Sequence, residues 1–308
     1  MPRTPAPAAD RPHVAIVLIT FRREAGLAAL LAALAGQAGR QSDYRLSIVV
    51  CDNDEAQSAR PVALAAGATY VCEPRRGIPV ARNAALDAVP ADTDFICFID
   101  DDEVPPPGWL SALLAIQRQT GAGAVLGPVV PVFPPGSEKS WVVRSGLLKR
   151  RRNPDGGRIH YGATNNMLVS WPFVRDHGLR FDERMRFTGG SDFRFFRLAM
   201  AKGLTIHWSE AAVVEEAFPP ERLKPSWALA RQFRTGNTFA IHDRLEGGAG
   251  RFVKRFVIGL SRICLGVLLL PTLPFSARYG GRALTHILRG AGMISGLFGG
   301  VYEEYRPR

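Results

Sequence analysis

Short apolar runs alternate with segments of helical spacing through the first 122 residues of the chain. The runs are rich in β-branched residues, and the helical segments after them carry proline near a start or glycine near an end. Near-continuous apolar strands alternating with helices are typical of a parallel sheet covered on both faces. The pattern predicts an α/β fold whose first four strands lie in HVAIVLIT (13–20), LSIVVCDN (46–53), ATYVCEP (68–74) and DFICFIDDD (94–102).

From residue 123 onward this alternation loosens. AVLGPVVPVF (124–133) and ATNNMLVSW (163–171) have the composition of strands. Residues 219–245 have helical character, which we expect Pro225 to interrupt. The second half therefore predicts further strands and a long, broken helix.

Charged and polar residues follow each of the first four predicted strands. In open α/β sheets, ligands bind in the crevice outside the carboxyl ends of the strands. A crevice that holds both arginines and acids suits a ligand with phosphates, hydroxyls and a bound metal. The residues at these ends are Thr20 to Arg23, Asp52 to Asp54, Glu73 with Arg75, Arg76 and Gly77, and Asp100 to Asp102.

The fourth strand ends in three consecutive aspartates and Glu103. Like charges this close raise each other's pKa, but a divalent cation among them would let them ionise together. Magnesium is usually held by one or two carboxylates, with waters and substrate phosphates completing its shell. The alternative is a solvated acidic turn or a helix N-terminus, where acids are also favourable. The apolar strand before the cluster and the arginines at neighbouring ends favour the metal site.

Composition narrows the class of ligand. A formal net charge of +11 and a pI near 10.1 favour anionic partners. The four cysteines and six histidines lack the spacing of zinc ligands, so we expect reduced thiols and no zinc site. No Gly-x-Gly-x-x-Gly or phosphate-binding P-loop motif is present, which argues against those nucleotide folds. The Pro/Ala-rich start lacks the apolar core of a signal peptide, and residues 1–11 are expected to be a flexible tail.

Five segments together resemble the inverting, family 2 glycosyltransferases of the GT-A fold. They occur in the family's order and span roughly residues 12–245, with the details most similar to bacterial exopolysaccharide glycosyltransferases of the succinoglycan type. The segments are VLITFRR, VVCDND, RRGIPVARNAAL, FICFIDDDEVP and, far downstream, FDERMRFTGGSDFRFF.

The resemblance implies a nucleotide-sugar pocket at the strand ends. By motif position, Thr20 and Arg23 line this pocket, Asp52 contacts the base, and Arg82 supports the same pocket. It also implies a divalent metal, Mn²⁺ or Mg²⁺, as cofactor. Asp100 and Asp101 would lie near the ribose and the metal, with Asp102 as the direct ligand and Asp100 as a second one.

Asp192 occupies the family's catalytic-base position, and Gly189, Gly190 and Ser191 would lie on the acceptor side. Here the chain departs from the family, which commonly has Glu-Asp where this chain has Ser191-Asp192. The alternative for Ser191 is a helix N-cap, with Asp192 merely in the first turn. A cap that fixes the direction of the carboxylate is compatible with catalysis.

The Gln-x-x-Arg-Trp motif of processive polysaccharide synthases is absent. Gln232 is present, but Thr235 and Gly236 stand where arginine and tryptophan would be. The resemblance therefore implies transfer of one sugar per acceptor.

The C-terminal region changes character. Residues 256–275 form a 20-residue apolar stretch that carries Arg262 and is broken near its end by Pro271 and Pro274. Its length would just span a bilayer, but an internal arginine favours a basic, amphipathic helix on an anionic membrane surface. A true span and a helical appendage packed on the enzyme or a second subunit remain alternatives.

These observations predict three parts: the tail, a glycosyltransferase domain of residues 12–245 divided at residue 122 into nucleotide and acceptor halves, and a membrane-associating region of residues 246–308. The expected function is metal-dependent, inverting transfer from a UDP-hexose to a lipid-linked oligosaccharide at the cytoplasmic face of a bacterial inner membrane. A catalytically weak homologue acting as a membrane-bound assembly subunit is the alternative that Ser191 encourages. Nucleic-acid binding has only the net charge in its favour, because no nucleic-acid motif is present.

Overall fold

The computed structural model describes residues 11–38 and 43–305. Except for Arg11, the expected flexible tail lies outside the described residues. The chain divides into two compact units. The first comprises the chain up to Pro131 together with Arg151–Arg186 and Ser191–Glu216, and the second comprises Val132–Arg150, Phe187–Gly190 and the chain from Ala217.

The described strands form two sheets. Their bounds are β1 (His13–Thr20), β2 (Arg45–Asp52), β3 (Thr69–Cys72), β4 (Phe95–Phe98), β5 (Glu103–Val104), β6 (Ala124–Leu126), β7 (Val129–Val132), β8 (Arg158–Ile159), β9 (Met167–Ser170), β10 (Ile206–Trp208) and β11 (Val214–Ala217). The larger sheet has the order β3-β2-β1-β4-β9-β6-β10-β8, and the smaller has the order β5-β11-β7.

The first four strands pair in parallel, as their sequence pattern predicts. β1 lies between β2 and β4, and β3 continues the sheet beyond β2. β9 is antiparallel to both β4 and β6, so the sheet is mostly, but not wholly, parallel. The predicted mixed α/β architecture, with a large central sheet flanked by helices, is confirmed. Because Thr20, Asp52 and Cys72 lie in register, the carboxyl ends of β1, β2 and β3 meet at one edge.

Ten helices are described in addition to short 3-10 turns. They are α1 (Glu24–Ala38), α2 (Arg60–Ala65), α3 (Ile78–Asp87), α4 (Trp109–Thr120), α5 (Trp141–Ser145), α6 (Trp171–Asp176), α7 (Ser191–Ala201), α8 (Pro225–Glu246), α9 (Ala249–Leu269) and α10 (Ala277–Leu297).

Buried residues cover both faces of the larger sheet, as an interior parallel strand requires. Ile16 of β1 belongs to a core with Leu27 and Leu30 of α1. Its neighbour Val17 belongs to the opposite core, with Ala85 of α3. Alternate side chains of one strand thus enter different cores, which fixes the register of β1.

The helical stretch of residues 219–245 is interrupted directly before Pro225, as expected, because Lys224 is extended and α8 begins at Pro225. A short 3-10 turn, Pro220–Leu223, precedes it. In the first turn of a helix the proline nitrogen has no intrahelical partner to lose, and its fixed φ suits the helix.

In the second unit, α10 packs closely against α8 and α9 through small residues. A Cβ on Gly292 would lie 2.0 Å from the carbonyl oxygen of Phe233, and one on Gly266 would lie 2.7 Å from the carbonyl oxygen of Ala283. Glycine is therefore required at these crossings for the backbones to approach. Beside them, Val142, Leu148, Phe218 and Ala228 form a small buried apolar cluster.

The outer face of α9 is apolar. Val253, Val257, Leu260 and Val267 are each about half exposed, and they recur at helical spacing. Arg255 forms an ion pair of 2.6 Å with Asp243 of α8. Among the helices of the described residues, none is both long and apolar enough to cross a membrane. The domain boundary after residue 245 stays a prediction.

We expect Gly292→Ala to lower the free energy of unfolding by about 1–3 kcal/mol, since the added methyl group would collide with α8. Gly250→Ala is the matched control, because a Cβ there meets nothing within 4 Å. Removal of a helical glycine alone should raise stability, by up to about 1 kcal/mol. Urea unfolding of both variants measures the difference, and equal effects would contradict the close-packing explanation.

Candidate functional site at the carboxyl edge of the sheet

Thr20, the last residue of β1, and Arg23, three residues later, both contact the acidic turn that follows β4. The Thr20 hydroxyl donates to Asp101 Oδ2 at 2.7 Å. Arg23 Nη1 lies 2.9 Å from Asp101 Oδ1 and 3.0 Å from Asp102 Oδ2. These contacts join residues that lie 78 to 81 positions apart in the sequence, as expected for neighbouring parallel strands.

Glu103, the fourth acid of the cluster, has a structural role. Its side chain is buried, and Oε2 accepts a hydrogen bond of 3.0 Å from the backbone N–H of Asp100. Gly26 of α1 permits close approach on the other side, because a Cβ there would lie 2.7 Å from the carbonyl oxygen of Asp101. The turn that carries the three aspartates is therefore fixed by a side chain and by a helix backbone.

Asp100 is the most perturbed acid of the site. Burial raises its pKa to about 6, and the negative charges of Asp102, Asp101 and Asp192 add to the rise, whereas Arg82 opposes it. Arg82 Nη2 lies 3.6 Å from Asp100 Oδ1. The Asp100 side chain keeps 40% of its surface accessible, so it is surrounded by protein atoms but open on one side. A carboxylate in such a recess can receive a ligand.

Asp192 lies in the first turn of α7, and Oδ1 accepts a hydrogen bond of 2.8 Å from the backbone N–H of Phe193. Its charge raises the pKa of Asp100, so the two carboxylates lie within electrostatic range. Ser191 is the first residue of α7, and both its capping role and its place on the acceptor side stay predictions. Gly189 and Gly190 precede it with φ of 75° and 84°, a region that favours glycine.

Asp52 is fully buried at the end of β2. Its carboxylate accepts hydrogen bonds from the backbone N–H groups of Asp54 at 3.0 Å and Ala59 at 2.9 Å, and from the Tyr70 hydroxyl at 3.1 Å. These bonds give Asp52 a clear role in shaping the loop after β2. The base contact implied for it stays a prediction.

Sequence reasoning missed the part played by Asn53. Its amide donates to the carbonyl oxygens of Glu73 at 2.7 Å and Arg75 at 3.0 Å, and its Oδ1 accepts from the N–H of Gly77 at 2.8 Å. One side chain thus joins the loops after β2 and β3. The signal available in sequence was an asparagine directly after a strand.

Asp182, another carboxylate in the FDERMRFTGGSDFRFF segment, is poorly suited to act as a catalytic base. It lies 2.6 Å from Arg184 Nη2 and 2.7 Å from Arg194 Nε. Hydrogen bonds from Arg184 are the largest cause that lowers its pKa, to about 2. A carboxylate so stabilised in its ionised form is a weak proton acceptor near neutral pH.

No group of three or more His, Cys, Asp or Glu side chains within residues 11–38 and 43–305 is arranged to hold a metal ion. A magnesium or manganese ion that shares its shell with a diphosphate needs only one or two protein carboxylates. Asp100 and Asp102 offer two. Burial raises the pKa of Asp100, and a cation would oppose the smaller contributions that the charges of Asp102, Asp101 and Asp192 add to this rise. The donor set fits a hard divalent cation shared with a phosphate ligand.

A protein-family model described as "Glycosyl transferase family 2" matches residues 15–177. The chain is also 34% identical over 312 residues to the "Succinoglycan biosynthesis protein ExoM" of Rhizobium meliloti (strain 1021), an alignment that covers 96% of each chain.

Among solved structures, the chain is similar to residues 1–349 of S. aureus TarS, with a TM-score of 0.52 and 16% identity over 92% of this chain and 90% of that one. The same protein in complex with UDP matches with a TM-score of 0.50 and 15% identity, covering 92% of this chain and 90% of that one. At these identities the likeness establishes the fold alone.

We expect Asp182→Asn to lower the free energy of unfolding at pH 7 by roughly 1–2 kcal/mol, allowing for solvent screening at Arg184. Because the folded-state pKa is depressed to about 2, this stability is present above pH ~4 and is lost as pH falls toward 2. Chemical unfolding between pH 3 and pH 7 tests this. Asp87→Asn, which removes an exposed partner of Arg180, is the control and should change stability little.

Proposed function

The chain belongs to glycosyl transferase family 2, and from this premise we propose that it transfers one sugar from a UDP-hexose to a lipid-linked oligosaccharide during synthesis of a bacterial exopolysaccharide. The observation that carries the proposal is the joining of Thr20, Arg23, Asp101 and Asp102 at the carboxyl edge of the sheet. The relative named for succinoglycan biosynthesis supports the product class, and the TarS complex with UDP supports the donor.

The donor site combines charges that suit a nucleotide diphosphate. The Arg23 guanidinium is paired to the acidic turn, and Arg82 lies beside Asp100, so cations and carboxylates share one edge. Asp102 and Asp100 would hold Mn²⁺ or Mg²⁺ there. When bound, the metal supplies stabilisation of the negative charge that develops on the departing diphosphate.

The chemistry is direct displacement with inversion. The acceptor hydroxyl oxygen forms a bond to the anomeric carbon on the face opposite the diphosphate. The bond from that carbon to the diphosphate oxygen breaks, and its electron pair leaves with UDP. Asp192 takes the proton of the acceptor hydroxyl, a role for which its fixed place in the first turn of α7 is suitable.

Transfer of a single sugar is favoured by Thr235 and Gly236, which replace the arginine and tryptophan of the processive motif. The exposed apolar face of α9 supports a lipid-linked acceptor. Burial of such a face at a bilayer surface lowers the free energy, so the enzyme would lie where a lipid-linked acceptor is found. We place the enzyme at the cytoplasmic face of the inner membrane, where it would associate peripherally through its C-terminal region.

The competing function is a catalytically weak homologue that serves as a membrane-bound assembly subunit. The feature that favours it is Ser191, which stands where the family commonly has an acid before the catalytic aspartate. An assembly subunit would show no metal-dependent turnover of any nucleotide-sugar.

Two substitutions should separate donor binding from chemistry. We expect Asp102→Asn to abolish the Mn²⁺-dependent part of UDP binding in calorimetry, while UDP affinity in EDTA stays equal to that of the unaltered protein. We expect Asp192→Asn to keep donor binding and to slow the hydrolysis of UDP-hexose, in which water takes the place of the acceptor hydroxyl, by about 10²–10⁴ in a single turnover, the usual value of a general base.

The hexose for this assay is the one whose UDP derivative gives the largest metal-dependent thermal stabilisation. Asp87→Asn, an exposed acid on α3, is the control for both measurements. A loss below about tenfold in Asp192→Asn would remove Asp192 as the base. Absence of turnover in the unaltered protein with every UDP-hexose would favour the assembly subunit.

Two exposed apolar residues offer a test of membrane association that leaves the helix packing intact. Leu268 is 78% exposed and Phe275 is 89% exposed. We expect the double variant Leu268→Gln, Phe275→Gln to bind phosphatidylglycerol vesicles about tenfold or more weakly, since each buried side chain contributes about 1.5–3 kcal/mol. Leu64→Gln, at a 53% exposed site on α2, should bind as the unaltered protein does. Unchanged flotation of the double variant would contradict attachment by this surface.

A further inference from the structure

Three cationic side chains of the second unit lie together on α9 and α10: Arg262, His286 and Arg289. Burial lowers the pKa of each, and neighbouring positive charges lower it further. Arg262 acts on both His286 and Arg289, and Arg289 acts on His286, so the three groups repel one another. No carboxylate contributes to any of these three shifts.

Two buried nitrogens of this cluster lack a hydrogen-bond partner in the part of the chain that the structure describes. They are Arg262 Nε and His286 Nδ1. By contrast, Arg289 is oriented, because its Nε donates a 2.9 Å hydrogen bond to Gln232 Oε1 on α8. Arg255, about two helical turns before Arg262, forms an ion pair with the carboxylate of Asp243. The local surplus of positive charge therefore belongs to Arg262, His286 and Arg289, and the exposed Arg282 of α10 adds to the positive charge that acts on His286.

The helices around the cluster are packed closely. A Cβ on Gly290 would lie 2.5 Å from the carbonyl oxygen of Gly259 and 2.7 Å from Ile263 Cγ1. Gly259 and Ile263 flank Arg262 on α9, and Gly290 follows Arg289 on α10. Close glycine packing thus brings the backbones of α9 and α10 together beside the cationic residues.

Such an arrangement is unfavourable in the protein alone. Desolvated charges that are not paired, and buried polar atoms without partners, each raise the free energy of the folded state. Nearby polar side chains do have partners, since Gln232 accepts a hydrogen bond from Arg289 and Arg255 pairs with Asp243. The missing partners of Arg262 and His286 are therefore a local feature of this cluster. An anion bound to these side chains would supply both the missing charge and the missing acceptors.

We propose that Arg262, His286 and Arg289 form a binding site for a phosphate or diphosphate group, borne by a lipid or free in solution. The guanidinium forks of two arginines can each donate two hydrogen bonds to phosphate oxygens, and Nδ1 of a protonated His286 can donate one more. The site consists only of residues of the second unit and does not depend on the donor site or on glycosyl transfer.

The imidazole of His286 provides a readout local to this site. With ¹³C-labelled histidine, its resonance is assigned by its disappearance in His286→Gln, and its pKa is followed by NMR titration. We expect inorganic pyrophosphate to raise the pKa of His286 by about one unit, because a bound anion stabilises the imidazolium. Sodium chloride at matched ionic strength is the control for simple screening.

Arg262→Gln separates an anion site from a strained cluster without a ligand. In both cases it should raise the pKa of His286 in the absence of anion, since one repelling charge is removed. Only for an anion site should it also weaken pyrophosphate binding, by at least tenfold. Lys254→Gln, which removes an exposed charge from the same helix, should bind as the unaltered protein does. Arg289→Lys, which keeps the charge but loses the fork, is a second variant with the same expectation of weakened binding.

Two further arms distinguish the source of the phosphate. Vesicles of phosphatidylcholine with a polyprenyl diphosphate, and vesicles with phosphatidylglycerol, are compared with free pyrophosphate. A response to either vesicle that Arg262→Gln removes assigns the site to a lipid, and a response to pyrophosphate alone assigns it to a soluble ligand. A His286 pKa that responds to none of the three beyond the chloride control overturns the proposal.

Discussion

The ion pairs from Arg23 to Asp101 and Asp102 are the interaction on which the site depends. Arg23 directly precedes α1, and the aspartates follow β4, so one guanidinium joins the exits of two adjacent parallel strands. The bond between Thr20 and Asp101 adds a second connection at the same place. Glu103 accepts a hydrogen bond from the backbone of Asp100, and Gly26 of α1 packs against the backbone of Asp101. These contacts fix the acids in the absence of a ligand. Preorganised charges of this kind lose little entropy when they bind.

The parallel half of the fold could be predicted from sequence because its strands are apolar on both faces and its ends are charged. That pattern placed β1, β2, β3 and β4 within a few residues of their observed bounds and brought Thr20, Arg23 and the aspartates to one edge. The resemblance to family 2 then supplied what residue types alone could not, namely a role for Asp192. The residue roles remain proposals, although the family and the fold are established.

What escaped prediction depends on partners distant in sequence. Periodicity could not reveal that Asn53 would join two loops, because its three bonds go to backbone groups 20 or more residues away. Glu103 looked like a fourth metal-site acid, yet its carboxylate accepts a backbone N–H in the buried turn. The inward position of Arg255 was likewise set by Asp243 on another helix. Local pattern predicts which face of an element is apolar, but not which polar group will find a partner.

The second unit is assembled from three separate stretches of the chain, and this affects the order in which it can fold during synthesis. Val142 and Leu148 emerge early, but their partners Phe218 and Ala228 follow some 70 residues later. Until then, the apolar segment that contains Val142 and Leu148 stays exposed, although the described strands of the larger sheet have all been synthesised. Contacts between residues so distant in sequence form slowly, and until they form the exposed apolar surface can cause aggregation or bind chaperones. In a fragment that stops at residue 216, residues 132–150 would lack the apolar side chains that bury them. A shorter soluble protein would therefore require the removal of residues 132–150 as well.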